Sequence, residues 1–209
     1  PSNVGLKVTW SSFMNSYFGR PIKPVSLTND GETIKGEFIL SRRGLEGGII
    51  YYVTTMAQKK IKTVNVDLLP DTPMEKMMEK LSKRKGKNSV ANYLRKVLKL
   101  PSVKVALMRE FCNPLPIDHV ELAYKIKNLT ITIDNTYSMD RAISTSGGIS
   151  RNAVDKDLML RDLPGVFCAG EMLDWTAPTG GFLLTACLSS GSYVAHSIAR
   201  KLNLKKTND

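Results

Sequence analysis

Leu163-Pro164-Gly165-Val166-Phe167-Cys168-Ala169-Gly170-Glu171, then Asp174-Trp175-Thr176-Ala177-Pro178-Thr179-Gly180-Gly181, then an apolar run to Leu202, is the stretch on which the fold of this chain turns. The pattern predicts a short buried strand over residues 165–169, a loop rich in Gly, Pro and Thr, and a long helix over residues 181–202. A strand that ends at Gly170 lets backbone come close to a ligand, and the carboxylate of Glu171 can accept hydrogen bonds from sugar or ribityl hydroxyls. Gly180-Gly181 then brings a helix N-terminus forward, where free N–H groups and the positive dipole end stabilise negative charge. A reduced flavin carries such charge at N1 and its C2 carbonyl. Ala186, Ser190, Gly191 and Ala195 give the helix a small-residue face suited to packing on a sheet. Such a contact would offset the roughly 1 kcal/mol that a mid-helix glycine costs relative to alanine. Each glycine taken singly is also explained as an ordinary turn residue.

Upstream, the chain alternates short apolar runs with turn residues as far as about Leu69. Val25 to Leu27, the turn Asn29-Asp30-Gly31, and Gly36 to Leu40 read as antiparallel strands. Arg43-Gly44-Leu45-Glu46-Gly47-Gly48 opens a segment, residues 49–60, expected to be helical. From Pro70 the pattern turns helical. Thr72-Pro73-Met74-Glu75 has the arrangement of a capping box with proline at the first helical position, predicting a helix over 73–84. Lys85-Gly86-Lys87-Asn88 breaks it, and Asn88 or Ser89 caps a second helix through Leu98. Pro101-Ser102 starts a third, Asn113-Pro114-Leu115-Pro116 ends it, and residues 117–125 form a short fourth. Lys125 and Lys127 are placed to meet the dipole of that fourth helix. At Leu129 the alternation Thr130, Ile131, Thr132, Ile133 returns the chain to strand. The helical stretch therefore reads as inserted in a β-rich unit.

The charge balance is +11, with 30 basic and 19 acidic residues, and the excess is concentrated. Between Lys59 and Arg109 fourteen basic residues stand against four acids, which makes nucleic acid or another polyanion a candidate partner. Tyr93 is the lone aromatic there, so a solvated basic face is the plainer account. Cys112, Cys168 and Cys187 lack CxxC spacing and nearby histidines; they read as buried reduced thiols, with no metal site expected. His119 and His196 show no partner. No serine nucleophile elbow or carboxylate pair appears, which removes hydrolase readings. No apolar run approaches the roughly 20 residues of a membrane span, and residues 1–10 lack signal-peptide features, so the expectation is a cytoplasmic protein without a membrane partner.

The stretch GVFCAGEMLDWTAPTGGFLLTACLSSG resembles the C-terminal flavin-binding motif of the HI0933-like, or YhiN-like, NAD(P)/FAD-dependent oxidoreductases, a family of mostly uncharacterised bacterial flavoproteins. Gly170-Glu171, Asp174 and Gly180-Gly181 carry the match. Ala142-Ile143-Ser144-Thr145-Ser146-Gly147-Gly148-Ile149 resembles the family's return strand and glycine turn beside the isoalloxazine ring. Asn3-Val4-Gly5 through Trp10-Ser11, Gly19-Arg20-Pro21-Ile22-Lys23, Arg43 to Gly48 with Tyr51, and Tyr93-Leu94-Arg95-Lys96 resemble its inserted region.

The resemblance implies an α+β fold. An antiparallel β-barrel-like domain (residues 1–69 and 127–138) would carry a small basic helical domain (70–126). The C-terminal strand and helix of a split FAD-binding Rossmann-like domain would follow (139–209). It further implies FAD bound by Thr145, Gly147, Gly148, Gly170, Glu171, Asp174, Gly180, Gly181, Phe182 and Leu183, with NAD(P)H as a candidate electron donor. Arg43, Glu46, Gly47 and Gly48 would lie on the side of an unidentified small-molecule substrate, although their glycines also suit an ordinary loop. No catalytic proton donor is identified. The family's GxGxxG turn, which holds the FAD pyrophosphate, does not occur in these residues. The expectation is a C-terminal fragment whose partner is the missing N-terminal FAD-binding segment, with FAD held by the full-length protein.

Overall fold

The computed structural model describes residues 1–57, 60–83 and 89–203. It divides into two compact units, one of Val4–Arg141 and one of Pro1–Asn3 with Ala142–Asp209. The class is α+β, and its sheet lies wholly in the first unit.

That sheet has seven strands: β1 (Leu6–Lys7), β2 (Pro21–Asn29), β3 (Glu32–Ser41), β4 (Gly44–Glu46), β5 (Thr63–Asp67), β6 (Leu129–Thr132) and β7 (Asn135–Thr136). Their order is β6-β5-β2-β3-β4-β1-β7, and every pairing is antiparallel. The β2–β3 hairpin forms where Asn29-Asp30-Gly31 predicts it. Asn29 pairs with Glu32, and the two loop residues Asp30 and Gly31 both have positive φ, which matches the strand twist. Along β2 the inward residues Ile22 and Val25 are three apart, so strict alternation would point one of them outward. The ladder with β3 shifts register between them, and Lys23-Pro24 fills the bulge, where a proline's missing N–H costs nothing.

The two ends of the sheet meet in one run of chain. Only Ile133 and Asp134 separate β6 from β7, and their N–H groups donate to the carbonyls of Lys62 (2.9 Å) and Lys7 (3.0 Å). Residues 129–136 thus pair first with β5 and then with β1.

Helices α1 (Gly48–Met56), α2 (Met74–Ser82), α3 (Val90–Val97), α4 (Ser102–Phe111) and α5 (His119–Lys127) share one apolar core with the sheet. Helix α1 stops at Met56, short of the expected Lys60. The expected ends at Arg84 and Asn88, and the break between them, lie outside the described residues. The capping box at Thr72 does not form. Pro73, with ψ 149°, is itself the N-cap and has no side-chain acceptor for the first-turn N–H groups, while the Thr72 carbonyl accepts from Lys127 Nζ at 3.1 Å. Ser89 does cap α3, its hydroxyl accepting from the Asn92 N–H at 3.3 Å. Helix α5 starts later than expected because Asp118 caps it, accepting from the N–H groups of Glu121 (2.8 Å) and Val120 (3.0 Å). Lys127, expected to face only the helix dipole, ion-pairs with Asp67 at 2.5 Å and ties α5 to the end of β5.

Helix α4 is buried around its middle, Val103 to Met108, and so reads as a core helix. Lys104 is among these residues at 1% exposure. Its Nζ donates to Pro24 O, at the β2 bulge, at 2.6 Å and to Leu68 O at 2.7 Å. Burial, against the attraction of Asp67 and Asp71, lowers its pKa from 10.5 to about 8. Between those values the unfolded chain holds a proton that the folded chain has shed. Stability should therefore rise from about pH 8 to about pH 10.5, by on the order of 3 kcal/mol, and be insensitive to this group below that window. Urea unfolding of the wild type and Lys104→Met at both ends of the window checks this; an equal rise in both proteins would sink the assignment.

The second unit has little regular structure before α6 (Phe182–Lys201). The expected strand at residues 165–169 is not one. Met159 and Phe167 form a single antiparallel bridge, and Gly165 and Val166 are exposed. An apolar run becomes a strand only through a ladder, and one bridge does not make a ladder. Helix α6 begins at its predicted place but is mostly exposed, with only Val194 and Ser197 buried. A Cβ on Gly191 would meet nothing within 4 Å, so within the unit nothing packs closely on that glycine. At 20 residues and a mean hydropathy of 1.2, α6 is also long and apolar enough to cross a membrane, contrary to the expectation from sequence.

Candidate functional site

Ten of the residues singled out from sequence, Thr145 to Leu183, fall in the second unit. The structure brings several of them together. Glu171 stands in a 3-10 turn, Gly170–Met172, and its Oε1 accepts from the Thr145 N–H at 3.0 Å. Behind that contact the two segments run side by side. The Ile149 N–H donates to Met172 O (2.8 Å) and the Asp174 N–H to Ile149 O (2.9 Å), a parallel bridge between Ile149 and Leu173. Gly148, at φ +145°, is where they are closest, since a Cβ there would lie 2.5 Å from Met172 O. Any side chain would push Thr145 and Glu171 apart.

Gly147 (φ +97°) and Gly181 (φ +90°) are different. A Cβ on either would meet nothing within 4 Å, so space beside them is open. Gly181 is the N-cap of α6 and offers no side chain to its first-turn N–H groups. Gly180 lies just before it at φ +119°. Phe182 is exposed and Leu183 half-buried. The turn at Gly170 is anchored to α6, its N–H donating to Ser190 Oγ at 2.9 Å, and that hydroxyl donates on to Cys187 O at 3.0 Å. Sequence reading placed Ser190 only on a small-residue face. It missed Asn3 as well, whose Nδ2 donates to Ser144 Oγ (2.8 Å) and Ala177 O (2.7 Å) and so joins the 144–149 segment to the loop before α6. Spacings of 141 and 174 residues leave no local signal of these bonds.

Arg43, Glu46, Gly47 and Gly48 belong to the first unit, Arg43 in the turn between β3 and β4 and the other three at the junction of β4 and α1. Here the glycines have packing reasons. A Cβ on Gly48 would sit 2.5 Å from Glu37 O, and Gly47 (φ +84°) is the N-cap of α1. Glu46 lies near two tyrosines. Burial above all, with the Glu46 carboxylate adding to it, pushes the Tyr137 phenol well above its ordinary range, and Tyr137 Oη shares a 2.7 Å hydrogen bond with Ser41 Oγ. Burial likewise raises Tyr51. Both phenols stay protonated at neutral pH.

A cavity of about 720 Å³ between the β2–β3 hairpin tip and α1, lined by Asp30, Glu32 and Tyr52 among others, holds none of the candidate residues. A second, of about 550 Å³, is lined by Asn92, Arg95, Lys96 and Ser102. Among the described residues no group of His, Cys, Asp and Glu is placed to hold a metal, and all three cysteines are free, with only Cys168 fully buried.

Residues 1–144 match the family model described as HI0933-like protein barrel and H2TH domain. This chain belongs to the HI0933-like family. A curated relative, the ribosomal RNA dihydrouridine synthase of Haemophilus influenzae, is 23% identical over 187 residues, which is 85% of this chain and 46% of the relative. The chain thus spans about half the length of that relative. The HI0933-like match covers the whole first unit, including Arg43 to Gly48, and ends at Ser144, next to the Thr145–Gly148 turn.

Proposed function

We propose that this chain forms the flavin-ring side of an FAD-dependent oxidoreductase and that the substrate is a uracil base in RNA. The observation that carries the flavin reading is the Thr145–Glu171 contact beside glycines with open space, in the same unit as an uncapped helix N-terminus. These residues fit the group. Glu171 Oε2 takes ribityl or ribose hydroxyls, Gly147-Gly148 and Gly170 line the ring, and the first N–H groups of α6, at Phe182 and Leu183, meet the negative pyrimidine edge. Asp174 fixes the loop between them. The bound flavin supplies hydride transfer, with NAD(P)H as the source of electrons.

The exposed apolar side chains of α6, among them Leu184 and Leu188, are covered in this reading by the dinucleotide-binding unit of the full-length protein. The run 129–136, shared by both ends of the sheet, closes it into a barrel that bears the helices. Arg43, Glu46, Gly47 and Gly48 are the substrate-side candidates of the first unit.

Uracil as substrate is supported by the name of the relative, since a dihydrouridine is a uridine with two hydrogens added across its ring double bond. The +11 charge supports an RNA carrier for that base. The absorbance spectrum of the purified full-length protein tests the flavin reading. Glu171→Ala should lower flavin occupancy, with FAD binding weakened roughly tenfold or more, the loss expected for a hydrogen bond to a charged group. Occupancy unchanged from the wild type would refute this placement of the cofactor.

A further inference from the structure

Residues outside the flavin site form an exposed ladder in the first unit. Phe13 and Tyr17 lie on a 3-10 turn, Ser12–Tyr17, with ring centroids 5.7 Å apart. The Arg109 guanidinium, from the last turn of α4, lies over the Phe13 ring at 4.5 Å, and the Arg20 guanidinium lies over the Tyr17 ring at 5.5 Å. In the order Arg20–Tyr17–Phe13–Arg109, two rings tilted 50° to each other thus lie between two cations. Both arginines are exposed, and Phe13 is 38% exposed.

An arginine on a protein surface usually finds a carboxylate. The acid nearest in sequence to Arg109 is Glu110, and it is committed elsewhere: its two oxygens accept from the Ser11 N–H and Ser11 Oγ, both at 2.6 Å. That pair of bonds also clamps the aromatic turn to α4. Neither guanidinium has an ion-pair partner among the described residues. The ladder is therefore held in place, charged and uncompensated. Seven residues before Arg109, on the same helical face and about 10 Å along the axis, Ser102 borders the cavity lined by Arg95 and Lys96. Both of those cations are exposed as well.

We propose that this ladder is a contact for single-stranded RNA. Bases stack on the outer faces of the guanidiniums and on the exposed part of the Phe13 ring, while the guanidinium N–H edges take phosphates, with Arg95 and Lys96 of α3 as further phosphate contacts. A duplex keeps its bases stacked on each other and cannot use the ladder. The inference deepens the RNA reading above and rests on it.

The test is fluorescence anisotropy of the purified protein with a labelled single-stranded RNA oligonucleotide and with its duplex, over a range of salt. Arg20→Gln with Arg109→Gln should weaken single-strand binding at least tenfold and reduce the salt slope by roughly 0.7 for each guanidinium removed. Phe13→Leu, which keeps the bulk and removes the ring, should weaken binding roughly tenfold with the salt slope unchanged. Thermal melts of the variants matching the wild type exclude a folding defect. Wild-type binding that all these variants leave intact, or that favours the duplex, overturns the ladder and leaves RNA as substrate standing. No binding of RNA by the wild type overturns both.

Discussion

Gly44→Ala should cost the sheet unit about 4 kcal/mol or more, enough to unfold it at ordinary temperature. Gly44 has φ +146° and pairs with Lys7 where β4 meets β1. A Cβ there would lie 1.9 Å from Leu6 O and 2.8 Å from Val8 N. Both are backbone atoms of the paired strand, so no rotamer change can relieve the overlap, and the strands must part. Gly19 is the control. It too has a positive φ (+80°), but a Cβ on it meets nothing within 4 Å. Gly19→Ala should cost only the backbone strain, about 1 kcal/mol. Urea denaturation of both variants separates close approach from strain. Similar midpoints would mean that the β1–β4 crossing is looser than described.

The second large effect is on the cofactor. Gly181→Trp should abolish flavin retention by the full-length protein, whereas Gly181→Ala should retain most of it. At φ +90° alanine is strained by about 1 kcal/mol or a little more but has room. Tryptophan fills the space in front of the α6 N-terminus, which in the proposed function holds the pyrimidine edge of the ring. Flavin-to-protein ratios on purification, with circular dichroism to confirm that α6 persists, decide the matter. A Trp variant that keeps its flavin would move the ring elsewhere.

Sequence revealed what local chemistry controls. The β2–β3 hairpin was legible because Asp30-Gly31 is one of the few pairs that tolerate its turn, and the Ser89 cap because serine before an apolar helix has a specific job. Long-range compensation was not legible. Nothing near Lys104 announces that it is buried against two carbonyls, and nothing near Pro24 announces a bulge that needs such a donor. The run 165–169 has strand composition but a single bridge, because a strand depends on its neighbours as much as on itself.

In the candidate site, residue types were readable from the turns. Gly148 and Gly181 do have positive φ, but one is tightly enclosed and the other open, a distinction that belongs to the packing around them. The aromatic–arginine ladder escaped notice because its members are 89 residues apart or more on one side, Tyr17 and Arg20 lying far before Arg109 in the chain.

The run of residues 129–136 has a consequence for the order of events at the ribosome. It follows every α-helix of its unit in the chain, so β5 and β1 each keep an unpaired edge through synthesis of α2 to α5. Such edges invite pairing with other chains, and contacts this distant in sequence form slowly. A nascent chain stalled before Leu129 carries two open edges at once; one released past Thr136 has both occupied by the same eight residues, so that segment acts as a late fastening that ends the aggregation-prone interval in a single step.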